Sequence, residues 1–258
     1  MRAVWRLLLL LVLALVMLQV YFVGRIALMA VVDPESTAFE RSETWRIAQT
    51  TGSLKWRQQW VPYAQLSDNL KRAVIASEDA SFVEHDGVDI EALEKAWDRN
   101  AKEDAKADAK AERAQQLASK AASKPNAASP APAKPPKIVG GSTITQQLAK
   151  NLFLSGERTL LRKCQELVLT LMLESLLSKQ RILEIYLNSV EWGEGVFGAE
   201  AAAQHYYRKS ASKLSAFEAA RLAVMLPRPK YFETRSGSGY LSSRAGTIAA
   251  RMSGVELP

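Results

Sequence analysis

Gly140–Glu166 reads GGSTITQQLAKNLFLSGERTLLRKCQE. A Gly-Gly turn leads into the hydroxyls of Ser142 and Thr143, and the spacing then predicts a helix over Thr143–Leu154. That helix carries Gln146, Gln147, Lys150 and Asn151. Gln147 and Asn151 are four apart and share a face, with Lys150 beside them. Arg158, Arg162 and Lys163 follow, and Glu166 closes the run within one turn of the last two. A bare run of charge reads as a solvated face, but here amides and hydroxyls flank it. Guanidinium forks and ammonium point charges are natural ligands of a diphosphate. The pattern therefore suggests a site for a large anion, most naturally a phosphate ester. Glu166 has three open roles at this level: neutralising the cations, orienting them, or holding a divalent metal against the diphosphate.

Upstream, Ser67 is placed to cap a helix predicted from Asp68 to about Ser81, with Leu70, Val74 and Ile75 on its apolar side. Glu78, in EDASFVEHDG, falls one turn after Val74 and Ile75 on that side. A carboxylate beside an apolar stripe is expensive unless it is paired or used. As a general base it would gain from desolvation, which lifts a carboxyl pKa. Asp79 is turned away by about 100° on a helix and is not expected to form a dyad with Glu78. No serine or cysteine nucleophile accompanies His85, which reads as a structural hydrogen-bonding group.

The remaining segments also read as helices. Leu160–Leu177 is long and apolar, with Leu167, Leu171 and Leu177 as core candidates, and Arg181–Asn188 forms another. Ser215 and Glu218 spell a capping box for a helix reaching Leu226, where Pro227 stops it. No segment alternates with period two for long, so the class is mainly α. Gly193, Gly195 and Gly198 match G-x-G-x-x-G, but they follow a helix and lie in no βαβ unit. They read as a turn wall beside Trp192 and Phe197. The single cysteine, Cys164, permits no intrachain disulfide and reads as a packing residue. No Cys/His metal cluster is evident.

The chain has 258 residues, 48% hydrophobic, enough for one domain with a sizeable core. Its net charge of +7 suits an anionic membrane surface or substrate, and no nucleic-acid motif accompanies it. After Arg2 and Arg6, Leu7–Val23 is uncharged and apolar. With Val4 it nearly meets the roughly 20 residues needed to cross a bilayer, and Arg25 is placed to snorkel to the far interface. The run exceeds a signal-peptide core and no A-x-A site follows, which favours an uncleaved anchor over residues 1–32. The basic flank keeps the N-terminus cytoplasmic and places residues 33–258 outside. Asp33–Thr37 reads as a polar linker, and Trp45, Trp56, Trp60 and Tyr63 mark an ordered entry region. Asn100–Lys137 is mostly Ala, Lys, Ser and Pro, and Ala101–Lys137 carries 8 basic against 4 acidic residues. It reads as a solvated insertion: a polar helix in its first half and an extended segment in its second.

Five blocks in order, EDASFVEHDG, GGSTITQQLAKN, RTLLRKCQE, RILEIYLNSVEWGEGVFG and EAARLAVMLPRP, resemble the peptidoglycan glycosyltransferase family. This family is the glycan-polymerising module of bifunctional penicillin-binding proteins and also exists as a stand-alone enzyme with one anchor, the form this chain is most similar to. The resemblance covers most of Trp45–Met252. It implies a lysozyme-like helical fold with a smaller membrane-facing lobe, and a bacterial inner-membrane location with the catalytic domain in the periplasm. It implies polymerisation of lipid II, with Glu78 as the base and Glu166 as the second essential glutamate. Ser142, Thr143, Gln146, Gln147, Lys150, Asn151, Arg158, Arg162 and Lys163 become the substrate-binding set. Lipid II, the lipid-linked glycan strand, membrane lipid and other cell-wall synthesis proteins are the implied partners. No cofactor is required by the sequence, although a divalent cation such as Mg2+ or Mn2+ has a possible ligand in Glu166. The family usually joins its first two blocks by a short connection, which Asn100–Lys137 lengthens here. A lysozyme-like glycan hydrolase and an inactive cell-wall scaffold are the alternatives, but neither needs both Glu78 and the cationic set.

Overall fold

The computed structural model describes residues 2–121, 141–154 and 159–258, with side chains between 104 and 121 described only in part. The expected extended half of the insertion and Arg158 lie outside the described residues. The chain divides into two compact units, Met1–Val88 with Thr143–Pro258, and Asp89–Ser142.

The first unit is helical. Helix α1 (Arg2–Leu28) is the apolar N-terminal segment, running unbroken through Gly24 and Arg25. Its 27 residues span about 40 Å, more than the roughly 30 Å of a bilayer core. One edge of its C-terminal half is buried through Phe22 and Ile26, and the rest is exposed. Helix α2 (Ala38–Thr51) starts at a capping box in which Thr37 bonds the Glu40 amide and Glu40 bonds back to Thr37. Helix α3 (Asp68–Glu78) is capped by Ser67 and ends one residue before Asp79, earlier than the expected Ser81, because the chain leaves helical geometry there.

Helix α4 (Ile90–Ala121) belongs to the second unit and takes up the first half of the insertion as helix, as its Ala, Lys and Glu content favours. Within that unit a Cβ at Gly141 would lie 3.1 Å from the Ala96 side chain.

The first unit resumes with α5 (Ile144–Phe153), α6 (Leu160–Leu176) and α7 (Lys179–Ser189). A two-stranded antiparallel hairpin follows, β1 (Glu191–Gly193) and β2 (Val196–Phe197). Gly195 has φ 73° and its Cβ position lies 2.4 Å from the Lys55 carbonyl oxygen, so only glycine fits the turn. The glycine triplet is a turn wall here, and no βαβ unit surrounds it among the described residues. Helices α8 (Ala199–Tyr207), α9 (Ala216–Met225), α10 (Pro229–Glu233) and α11 (Gly239–Arg251) complete the unit.

The core lies between α3, α9 and α11 on one side and α5, α6 and α7 on the other. Leu70, Val74, Leu148, Leu173, Leu183, Tyr186 and Leu222 are fully buried in it. Asn188 pins the entry segment by exchanging hydrogen bonds with the Val61 backbone, its Oδ1 accepting from N at 2.8 Å and its Nδ2 donating to O at 2.9 Å. Trp60 donates to Glu184 at 3.3 Å, whereas Trp45 and Trp56 are exposed.

One sequence expectation is corrected on α6. Leu177 is buried, but Leu167 and Leu171 are exposed, at 44% and 51%. The buried positions of α6 are Glu166, Leu169, Thr170 and Leu173. The helix is apolar on both sides, so periodicity alone could not say which side faces the core. Its outward side carries Leu160, Leu161, Leu167, Val168 and Leu171. α1 packs against the same helix, with Gln19 and Gln165 exchanging amide hydrogen bonds at 3.2 and 3.3 Å. Phe22 meets Phe153 edge-on at 5.3 Å.

Candidate functional site

The C-terminus of α3 delivers Glu78 to the N-terminal half of α5. Glu78 is half-buried, and its Oε2 accepts a hydrogen bond from Gln147 Nε2 at 3.0 Å. Gln147 Oε1 in turn accepts from the Tyr186 hydroxyl, also at 3.0 Å. Tyr186 is fully buried on α7, so its hydroxyl fixes which way the Gln147 amide points. Burial pushes the Glu78 carboxyl above the ordinary carboxylate range. The Gln147 hydrogen bond opposes this and the Asp79 charge adds to it. A raised carboxyl pKa with one oriented donor is the environment of a general base.

Asp79 has a different task. It is buried, and its Oδ1 and Oδ2 accept at 2.9 Å from His85 Nε2 and from the Ile144 backbone N–H. It therefore ties the EDASFVEHDG loop to the N-terminus of α5, where the helix dipole favours a negative charge. Desolvation lowers the pKa of His85, but the hydrogen bond and charge of Asp79 outweigh it and the net shift is upward. His85 is structural, as the sequence suggested, and no dyad joins Asp79 to Glu78. Gly87 closes the loop at φ 85°, with its Cβ position 2.7 Å from Thr170 and 2.8 Å from Glu174 on α6.

The substrate-binding candidates divide by what their atoms already do. Thr143 caps α5, accepting from Gln146 N at 3.1 Å, while Gln146 Oε1 accepts from Thr143 N at 3.2 Å. The Thr143 hydroxyl also donates to the Gly87 carbonyl at 2.6 Å. Thr143 is thus used by the scaffold, and Gln146 keeps only its amide nitrogen for a ligand. Asn151 is buried, and Lys150 is exposed one turn beyond Gln146 and Gln147. Ser142 ends the second unit and is exposed.

On α6, Thr159 caps the helix and starts the turn that presents Arg162, Lys163 and Glu166 together. Glu166 is buried, its Oε2 accepting from Arg162 Nη1 at 2.9 Å and its Oε1 from Lys163 Nζ. Arg162 Nε is buried with no hydrogen-bond partner among the described residues. Pairing with both cations fits either neutralising or orienting them. A carboxylate with both oxygens on cations does not fit a divalent ion, so the metal-ligand expectation for Glu166 is not supported by its surroundings. Cys164 is exposed, which corrects its reading as a packing residue.

Sequence reasoning gave no role to Tyr186, although it lies within one of the quoted blocks. A tyrosine at helical spacing from Ile182 and Leu183 reads as core, and only the packing of α7 on α5 aims its hydroxyl at Gln147.

The described architecture is a mainly α domain behind one apolar helix, with a carboxylate of raised pKa facing a polar, cation-bearing helix. The transglycosylase family model matches residues 46–134 and 126–253, and the chain belongs to that family, with its lysozyme-like helical fold. Similar proteins include the biosynthetic peptidoglycan transglycosylase of Paraburkholderia phytofirmans, 51% identical over 240 residues that cover 93% of this chain and 87% of the relative. The proteins of the same name from Burkholderia thailandensis and Burkholderia pseudomallei are each 50% identical over 240 residues, covering 93% of this chain and 82% of theirs.

Proposed function

We propose that this chain is a peptidoglycan glycosyltransferase that polymerises lipid II into glycan strands. The observation that carries the reading is Glu78, a carboxyl of raised pKa held by Gln147 at the foot of the helix that also bears Lys150. Its membership in the transglycosylase family and the relatives named above support it.

In this reading the GlcNAc 4-hydroxyl of lipid II gives its proton to Glu78, and the oxygen attacks C1 of the donor MurNAc from the face opposite the diphosphate. The new β-1,4 bond forms as the α-linked C1–O bond to phosphate breaks. Undecaprenyl diphosphate leaves with the bonding electrons. Lys150, Arg158, Arg162 and Lys163 are assigned to stabilise the growing negative charge, and Glu166 pairs with Arg162 and Lys163. Preorganised charges of this kind are usually the largest contribution to catalysis. Gln146, Gln147, Asn151, Ser142 and Thr143 complete the substrate-binding set. No step is assigned to Mg2+ or Mn2+.

Residues 1–32 are the anchor and 33–258 the catalytic domain in this proposal, with the N-terminus cytoplasmic and the domain outside the bacterial inner membrane. The exposed leucines of α6 lie on the helix that packs α1, so they would rest in the outer leaflet and bring the diphosphate to the cationic groups. Other cell-wall synthesis proteins are the natural partners there. Incubating the full chain with lipid II tests the reading. Glycan polymer and released undecaprenyl diphosphate are expected, whereas unchanged lipid II, or cleavage of preformed glycan without polymer, would contradict it.

A further inference from the structure

The C-terminal end of α1 and the linker after it enclose a cleft of about 370 Å3, within the roughly 300–1,000 Å3 of small-molecule sites. Its lining includes Arg25, Leu28, Met29, Val32, Glu35 and Arg41. The cleft is held open from behind. Arg181 donates to the Met29 carbonyl at 2.7 Å, to the Val32 carbonyl at 3.1 Å and to Asp33 at 2.7 Å, so Asp33 is already neutralised. Arg41 spends Nη1 on Ser36, donating to its carbonyl and its hydroxyl at 3.0 Å each, and keeps its other nitrogens. Arg25 and Glu35 make no side-chain hydrogen bond or ion pair among the described residues. The open charges of the cleft are therefore two guanidiniums and one carboxylate, above an apolar floor.

We propose that this cleft binds the headgroup of a membrane phospholipid whose phosphodiester is joined to a primary ammonium. The phosphate suits the guanidiniums of Arg25 and Arg41, which present forked donors to phosphate oxygens. The ammonium suits Glu35, whose charge it neutralises, whereas an uncharged headgroup would leave that carboxylate unpaired beside the lipid phosphate. Leu28 and Val32 are exposed and continue the apolar face of α1, where the acyl chains would lie, while Met29 is buried. The occupant is a bilayer lipid because the cleft opens where the apolar helix ends. The proposal rests on α1 as an anchor and not on the reaction assigned to Glu78.

The test is native mass spectrometry of the full chain in detergent, offered equal amounts of phosphatidylethanolamine, phosphatidylglycerol and phosphatidylcholine. One retained phosphatidylethanolamine is expected, with about fivefold preference over phosphatidylglycerol, the size of one exposed charge pair, and a preference over phosphatidylcholine because its quaternary ammonium has no N–H to donate to Glu35. Glu35→Gln should bring phosphatidylethanolamine down to parity with phosphatidylglycerol, and Arg25→Gln should lower retention of both. Both positions are exposed, so the fold should survive, and circular dichroism checks this. Equal retention of all three lipids by the wild type, or an undiminished preference in Glu35→Gln, would overturn the proposal. Retention of soluble glycerophosphoethanolamine, which has no acyl chains, as tight as that of the lipid would point to a water-soluble ligand and overturn the membrane assignment.

Discussion

At the scale of single residues, the Tyr186–Gln147–Glu78 chain makes a specific claim. Gln147 donates to the charged form of Glu78 and so holds its pKa below what burial alone would give. Tyr186→Phe removes the hydroxyl that orients that amide. The Glu78 pKa should then rise further, so the acid limb of the pH–rate profile should move to higher pH. Activity should fall several-fold on the acid limb and much less on the alkaline side of the profile. Gln147→Leu should move the limb in the same direction, and the double variant should move it little beyond either single change, because both break one path. Unchanged profiles in both variants would show that Glu78 does not depend on this amide. Glu78 was legible in the sequence because a carboxylate beside an apolar stripe has few structural explanations. Glu166 was legible as a carboxylate among cations, and the geometry adds that each of its oxygens accepts from one of them. Tyr186 was illegible because its hydroxyl matters only through a neighbour distant in sequence.

The scale of helices shows where pattern reading succeeds and where it fails. α3, α5, α6, α7 and α9 follow from caps and apolar spacing, and the Ser215–Glu218 capping box appears as read. α2 was missed because its apolar face is weak, although Thr37 and Glu40 already spelled its cap. α11 was missed because glycines and serines dilute the Leu241, Ala245, Ile248 spacing. On α6 the pattern was present twice, and Leu167 and Leu171 were assigned to the wrong side. The two sides should respond differently to truncation. Leu173→Ala empties a fully buried position and should destabilise the domain by about 2–5 kcal/mol. Leu171→Ala, at an exposed position, should change stability in detergent by less than about 0.5 kcal/mol. Chemical unfolding of both variants checks this, and equal losses would place Leu171 back in the core.

For the whole molecule, buried carboxylates couple stability to pH. Burial pushes Glu40 and Glu191 up to about 7 from 4.5. Glu40 lies in the cap of α2, whereas Glu191 on β1 sits 3.5 Å from Lys230, which also pairs with Glu43 of α2. Both raised groups bind protons more tightly in the folded chain. Their contribution to stability is full below pH 4.5 and is lost as pH rises through about 7. The depressed carboxyls Glu43, Asp68 and Glu218 act below this window and do not offset it. Wild-type stability should therefore decline from pH 5 to pH 8. Glu191→Gln should flatten the decline, matching wild type near pH 5 and exceeding it at pH 8 by about 1 kcal/mol, or roughly 3 °C in Tm. The weakened Lys230 contact offsets part of the gain. Parallel melting curves for the two proteins at both pH values would show that Glu191 is not buried as a charge.

The central claim is that Glu78 takes the proton from the attacking sugar hydroxyl, and its most direct test compares wild type and Glu78→Gln in one lipid II polymerisation assay. The amide keeps the size of the side chain and cannot accept that proton. Polymer formation should fall by about 10² to 10⁴, with lipid II binding and thermal stability close to wild type. Polymerisation by Glu78→Gln within a few-fold of the wild-type rate would contradict the account.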